Sequence, residues 1–273
     1  MSAPIKLSII TVNLNNAAGL SKTLESVASQ TFTNYEHIII DGGSTDGSVD
    51  IIKDYERKYN GAPGHLYWVS EPDKGIYNAM NKGIKVASGE YCLFLNSGDY
   101  FWQKDSVQLF NSVEKHAQIL YFDIYTGPSL KQAHLWQQKD RLSLTELCKG
   151  NIAHQSMFFD IQLFHTFGNY REDLRVVADW EFYLRLALIE NIRPQKINFA
   201  LTFYDSNGYS KSTKNREIAQ QERNAILKEH FNTAGLKIIE EHFNTLKYYE
   251  WTDNSRFCKY LKLIKSKSWK KRK

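Results

Sequence analysis

Three times in the first hundred residues a run of consecutive apolar positions stops at small polar residues and an acid. His37-Ile38-Ile39-Ile40 enters Asp41-Gly42-Gly43-Ser44-Thr45-Asp46-Gly47-Ser48, and Leu66-Tyr67-Trp68-Val69-Ser70 enters Glu71-Pro72-Asp73-Lys74-Gly75. Tyr91-Cys92-Leu93-Phe94-Leu95 enters Asn96-Ser97-Gly98-Asp99. Apolar runs of this kind, closed by turn-formers, describe strands buried on both faces, as in a parallel sheet covered by helices. Leu7-Ser8-Ile9-Ile10-Thr11-Val12 reads as the first strand, followed by the turn-formers Asn13-Leu14-Asn15-Asn16. Between the strands apolar residues recur at helical spacing. Leu20, Leu24 and Val27 mark a helix ending near Gln30; Val49, Ile52 and Tyr55 follow a Ser48 cap; Ile76, Met80, Ile84 and Ala87 mark a third. Strand and helix alternate with short turns, which predicts a doubly wound, mainly parallel α/β sheet, because parallel neighbours require crossover helices.

Beyond residue 105 the alternation loosens. Strands are expected at 119–124, 155–159 and 197–204, an amphipathic helix opening at Asp179-Trp180-Glu181-Phe182, a loop at 205–210 and a polar helix at 212–230. The expected organisation is one α/β domain in two halves, 1–104 and 105–232, followed by an extension at 233–273.

Composition adds compartment and partners. At 273 residues, 42% hydrophobic and 24% charged, the chain can bury a full core. Its 16 Tyr and 6 Trp suit a polar ligand with flat faces, such as a sugar or a base, although core packing accounts for most aromatics. Cys92, Cys148 and Cys258 are scattered and odd in number, as expected in a reducing compartment. The amino terminus lacks the apolar run of a secretion signal, and no apolar run is long enough to span a bilayer, so a cytoplasmic location is expected. The net charge of +5 is concentrated at the end. Nine Lys or Arg and no acid fall within 256–273, which leaves −4 on the rest. Interleaved with Phe257, Tyr260, Leu261, Ile264 and Trp269, these cations predict a helical extension lying on an anionic membrane face, a solvated basic tail or nucleic-acid arm being the alternative. The expected location is then peripheral, at the inner face of the plasma membrane, with no nucleic acid partner.

In open parallel sheets ligands bind at the carboxyl ends of the strands, where Asp41, Asp73 and Asp99 are all expected. Asp99 at the mouth of an apolar wall is a poor place for an unpaired charge, and a divalent cation makes it tenable. There is no Gly-x-Gly-x-x-Gly after a strand, no phosphate-loop Gly-x-x-x-x-Gly-Lys-Ser/Thr, no His-Glu-x-x-His and no Gly-x-Ser-x-Gly. Dinucleotide oxidoreductases, P-loop enzymes, zinc proteases and serine hydrolases lose ground accordingly. Taken together, Ser8-Ile9-Ile10-Thr11-Val12-Asn13, Gln30-Thr31-Phe32, the Asp41 to Ser48 run, Asp73-Lys74-Gly75-Ile76-Tyr77-Asn78-Ala79-Met80-Asn81-Lys82-Gly83, Gly89-Glu90-Tyr91 and Leu95-Asn96-Ser97-Gly98-Asp99 resemble a family 2 glycosyltransferase of the GT-A fold.

The resemblance implies transfer of a sugar, with inversion, from a nucleotide diphosphate donor, a UDP-sugar being favoured, to a saccharide or lipid-linked saccharide. Asp41 matches the acid that accepts hydrogen bonds from the nucleobase, an Asx-type turn being its alternative. Asp73 matches the acid near ribose and base, and Lys74 beside it is placed to meet a phosphate or solvent. Thr11, Asn13 and Ser97 complete the donor-nucleotide set. Asp99 matches the last acid of the metal motif, which implies Mn²⁺ or Mg²⁺; Asn96 and Gly98 stand where related members carry acids. Asp179 matches the general base at the start of a helix, with Ala178 in place of a Glu and Glu181 in reserve. His154 and Gln155 resemble a pocket pair, Trp180 is placed to stack on the acceptor, and Asn207-Gly208-Tyr209-Ser210-Lys211 to close over the pyrophosphate. The family's metal-binding His is missing between residues 200 and 215. The alternatives are a nucleotidyltransferase, disfavoured because 13–19 contains no basic residue, and a binding module of the same fold that has lost catalysis.

Overall fold

Strand β1 (Leu7–Asn13) lies between β2 (Tyr35–Asp41) and β4 (Tyr91–Phe94), parallel to both, and β3 (His65–Ser70) adds to the far side of β2, again parallel. The computed structural model describes residues 6–59, 65–140, 147–148, 153–189, 192–206, 213–235, 237–238 and 241. Helices α1 (Ala17–Ala28), α2 (Ser48–Tyr59) and α3 (Ile76–Val86) make the crossovers, so the alternation read from the first hundred residues is the observed one. The sheet continues in mixed fashion through β5 (Tyr100–Phe101), β6 (Ile119–Gly127), β7 (His134–Trp136), β8 (Met157–Asp160) and β9 (Gln195–Asp205). Its order is β3-β2-β1-β4-β8-β6-β9-β5, with β7 also on β6; β8 runs antiparallel to both β4 and β6, while β9 is parallel to β6. The fold is thus α/β with a helix-flanked sheet, its parallel part concentrated in the first half.

Four more helices follow: α4 (Ser106–Ser112), α5 (Gln162–Phe167), α6 (Ala178–Ile189) and α7 (Thr213–His230). Two expectations shift. Gln155 and Ser156 belong to a 3₁₀ turn (His154–Ser156) that ends before β8 begins. The amphipathic helix expected at Asp179 is buried nearly all round, only Asp179 and Arg185 keeping partial exposure between 178 and 186. One side faces the sheet, with Phe182 5.9 Å from Phe159 of β8 and stacked at 4.4 Å on Phe164 of α5, and α7 brings Ala219 and Ile226 into the same core cluster. A helix covered on both sides has no solvent face to keep polar. The basic segment 256–273 and the loop at 207–211 lie outside the described residues. Among the described residues no helix is long and apolar enough to cross a membrane.

Helix α3 sits close on β1 because Gly83 has no side chain. A Cβ there would come within 2.5 Å of Cγ2 of the fully buried Ile10. Alanine gains about 1 kcal/mol of helix propensity over glycine, but overpacking a rigid core typically costs about 1–3 kcal/mol. Gly83→Ala is expected to lose about 1 kcal/mol net, measured by chemical denaturation; equal or greater stability would mean the helix can lift from the strand freely.

Candidate active site

The register of the parallel strands sets Asn13, Asp41 and Ser70 side by side at one edge of the sheet. The chain leaving β4 follows β1 outward, with Leu95 N–H on Ile10 O and Ser97 N–H on Val12 O, and carries Asp99 to the same edge. Over this edge lies a cleft of about 1010 Å³, at the top of the range of roughly 300–1,000 Å³ for small-molecule sites. Its walls include Asn13, Asp73, Ser97, Asp99, His154, Gln155, Asp179 and Trp180. Acids from three distant segments therefore share one cavity.

Asp99 is 6% exposed, and its Oδ1 accepts from the Asp205 backbone N–H at 3.2 Å. Burial pushes its pKa up to about 7 against the opposing pull of the His154 charge and of hydrogen bonds from Asp205 and Gln155. In the same cleft, Asp179 Oδ2 receives His154 Nδ1 at 2.6 Å and Oδ1 receives the Tyr77 hydroxyl at 2.9 Å. Burial works to raise the Asp179 pKa, yet the His154 charge and these hydrogen bonds hold it below the usual carboxylate value. His154 moves the other way. Burial depresses it, but Asp179 first and Asp99 after it carry it above the ordinary imidazole value, so one ring is held electrostatically between two carboxylates.

The donor set of Asp99 suits a hard cation. Among the described residues no three His, Cys, Asp or Glu side chains gather as a metal centre. Beside Asp99, however, Asn96 Oδ1 is buried without a hydrogen-bond partner, its amide nitrogen lying 3.3 Å from His154 Nε2. One carboxylate and an amide oxygen, completed by ligand phosphate oxygens and water, fit the way Mg²⁺ is usually held.

Four expected site residues lie outside the cleft lining. Thr11 donates its hydroxyl to Leu95 O at 2.8 Å and so accepts from His37 Nε2 at 3.0 Å, a core network that includes the Tyr55 hydroxyl on His37 Nδ1. Burial keeps that His37 neutral, its pKa lowered to about 3. Asp41 is fully buried, and its two oxygens accept five hydrogen bonds, from Asn13, the backbone and hydroxyl of Ser44, Gly43 N–H and Ser70. Burial favours its protonation, but those bonds outweigh it and keep the pKa low. With its acceptor capacity filled by these five bonds, Asp41 here shapes the turn and orients Asn13. Lys74 is exposed, and its charge acts on Glu172. Glu181, the reserve base, is 2% exposed and paired with Arg185 at 3.1 Å one helical turn on. In the turn before α2 it is Asp46, not Ser48, that caps, accepting from both the Ser48 N–H and hydroxyl.

The structure also adds residues. Tyr77, Asn16, Trp136, Tyr204 and Asp205 line the cleft, and so do Arg175, Arg216 and Arg223. The last two stand with Ala219 and Gln220 at helical spacing on α7, a periodicity visible in the sequence. Helix α7 is fastened to the segment leading into α6 by Glu222, whose carboxylate accepts the N–H groups of Arg175, Val176 and Val177 at 2.6, 3.1 and 3.2 Å. These are backbone donors of the segment just before α6, which have no helical partner. Glu222→Ala strips all three and is expected to cost about 2 kcal/mol and to lower turnover as Asp179 loses its fixed position. Calorimetric melting with a turnover assay checks it; an unchanged melting temperature would mean water replaces the cap.

Glycosyl transferase family 2 matches residues 8–168, more than half of the chain. The chain belongs to that family. A Mycobacterium tuberculosis glycosyltransferase is 33% identical to this transferase, the alignment covering 94% of this chain and 95% of that one. Among solved structures, TarS of S. aureus with UDP superimposes with a TM-score of 0.58 at 20% identity, over 73% of this chain and 60% of that one. A mannosyltransferase of Pyrobaculum calidifontis, solved with GDP-Man and Mn²⁺, gives 0.59 at 16% identity, over 82% of this chain and 63% of its own. The transferase thus spans less than two thirds of either solved chain, and at these identities the likeness establishes the GT-A-type fold.

Proposed function

We propose that this family 2 enzyme is an inverting glycosyltransferase that moves a sugar from a nucleotide diphosphate donor, a UDP-sugar, to a hydroxyl of a saccharide or lipid-linked saccharide, assisted by Mn²⁺ or Mg²⁺. One observation carries the reading: Asp73, Asp99 and Asp179 line a single cleft. Asp73 and Asn13 are assigned to the nucleoside and Ser97 to the diphosphate side, while Asp99 and Asn96 would hold the cation. When bound, the cation neutralises charge on the departing diphosphate. The acceptor oxygen bonds to the anomeric carbon from the face opposite the diphosphate, the bond between that carbon and the diphosphate oxygen breaks, and the hydroxyl proton passes to Asp179. Tyr77 and His154 fix the carboxylate, and Trp180 and Gln155 border the sugar. The UDP in the TarS structure and the GDP-Man with Mn²⁺ in the mannosyltransferase structure support a donor of this class. Residues 1–104 then serve mainly the donor and 105–232 the acceptor, with the basic segment 256–273 resting on an anionic membrane at the cytoplasmic face.

Thermal-shift measurements with UDP-, GDP- and dTDP-sugars, with and without Mn²⁺, test the donor. A ligand that binds only the folded form at a hundredfold its dissociation constant adds about 2.7 kcal/mol, and the expected result is a metal-dependent rise with UDP-sugars. Indifference to all three sugar nucleotides would overturn the assignment.

A further inference from the structure

Arg175, Arg216 and Arg223 line the cleft, and among the described residues none of their side chains makes a hydrogen bond or a contact ion pair. Arg223 is the most telling of the three. Its Nε is buried and lacks a partner, its guanidinium lies 5.7 Å from the centre of the Trp180 ring, and its charge acts on Asp179 and Tyr77. It does not serve as the counter-ion in contact with Asp179, whose two oxygens are taken by Tyr77 and His154. A half-buried guanidinium with unspent donors is a fork shaped for a phosphate or carboxylate.

The side of the cleft decides which phosphate. In an inverting displacement the base marks the acceptor's side of the sugar and the cation marks the diphosphate's. The charges and hydrogen bonds that bear on Asp99 come from His154, Asp205 and Gln155, and no arginine is among them. Arg223 stands with Asp179, since it packs on the neighbouring Trp180 and feels the Asp179 charge; Arg216 lies seven residues before Arg223, on the same side of α7, and Arg175 four residues before Asp179 in the chain. We propose that Arg175, Arg216 and Arg223 form an acceptor subsite for a phosphate group, so that the molecule glycosylated is itself a phosphate ester. This rests on the assignment of Asp179 as base.

The test is a calorimetric titration of the full chain, saturated with UDP and Mn²⁺, with glycerol 3-phosphate, using uncharged glycerol as the control. With the donor site filled, the phosphate ester is expected to bind and glycerol not to. Arg223→Gln combined with Arg216→Gln is expected to weaken that binding tenfold or more while UDP affinity stays within twofold. The exposed Arg216→Gln alone, checked for an unchanged melting temperature, is expected to show a smaller loss in the same direction. A parallel fall in UDP affinity would overturn the proposal by giving the arginines to the donor diphosphate, and absent or variant-insensitive binding of glycerol 3-phosphate would overturn it as well. If UDP itself fails to bind the wild-type chain, the donor reading fails separately; the same titration without UDP then decides the anion subsite by the same variants.

Discussion

Replacing Asp179 by Asn is expected to leave UDP binding within a factor of two and to cut turnover by about a hundredfold or more, the usual scale of a lost general base. The asparagine oxygen still accepts from Tyr77 or His154, so the local geometry survives while the site that takes the proton is gone. Tyr77→Phe is the matched control. It removes one hydrogen bond to the carboxylate and keeps the base, and a much smaller loss is expected. Because the carboxyl is held below its ordinary value, it stays ionised at neutral pH and ready to accept. Wild-type turnover in Asp179→Asn, measured as sugar transfer under donor saturation, would remove the residue from the mechanism.

The second large effect belongs to Asp99. Asp99→Ala is expected to abolish the tightening of UDP by Mn²⁺ in calorimetry, and tightening equal to wild type would refute its place at the cation. Its pH dependence has a definite sign. The folded-state pKa of about 7 lies above the ordinary 3.8, so the folded form keeps its proton longer than the unfolded chain. Stability from this group is therefore lost as pH rises between those two values. A cation reverses this by replacing the proton, so Mn²⁺ should stabilise the UDP complex more at pH 8 than at pH 6, with roughly tenfold weaker metal affinity for each unit below the pKa. The variant should show neither trend.

How much of this was legible in the chain follows from the range of each interaction. The parallel strands could be read because Ile38, Ile39, Ile40 and Cys92, Leu93, Phe94 must be apolar on both faces, a condition local to each run. The two-residue strand Tyr100–Phe101 and the three-residue strand His134–Trp136 were not legible, being too short for an alternation to repeat. The burial of α6 was missed because its second cover, α7, comes from residues far downstream. Local pattern also could not separate Asp73, which lines the cleft, from Asp41, which ends an equally apolar strand but is saturated by Ser44, Ser70 and Asn13.

By itself the sequence determined the strand-and-helix grammar of the first half and the delivery of several acids to the carboxyl ends of strands, since both depend on backbone geometry and on neighbours a few residues away. Only the tertiary structure decided which acids face a common space, that His154 contacts Asp179 and feels the charge of Asp99, and that three arginines line the same cleft. Those facts depend on contacts between distant segments, such as Tyr77 with Asp179 at a separation of 102 residues, where packing of the whole core, and no local periodicity, sets the distance between side chains.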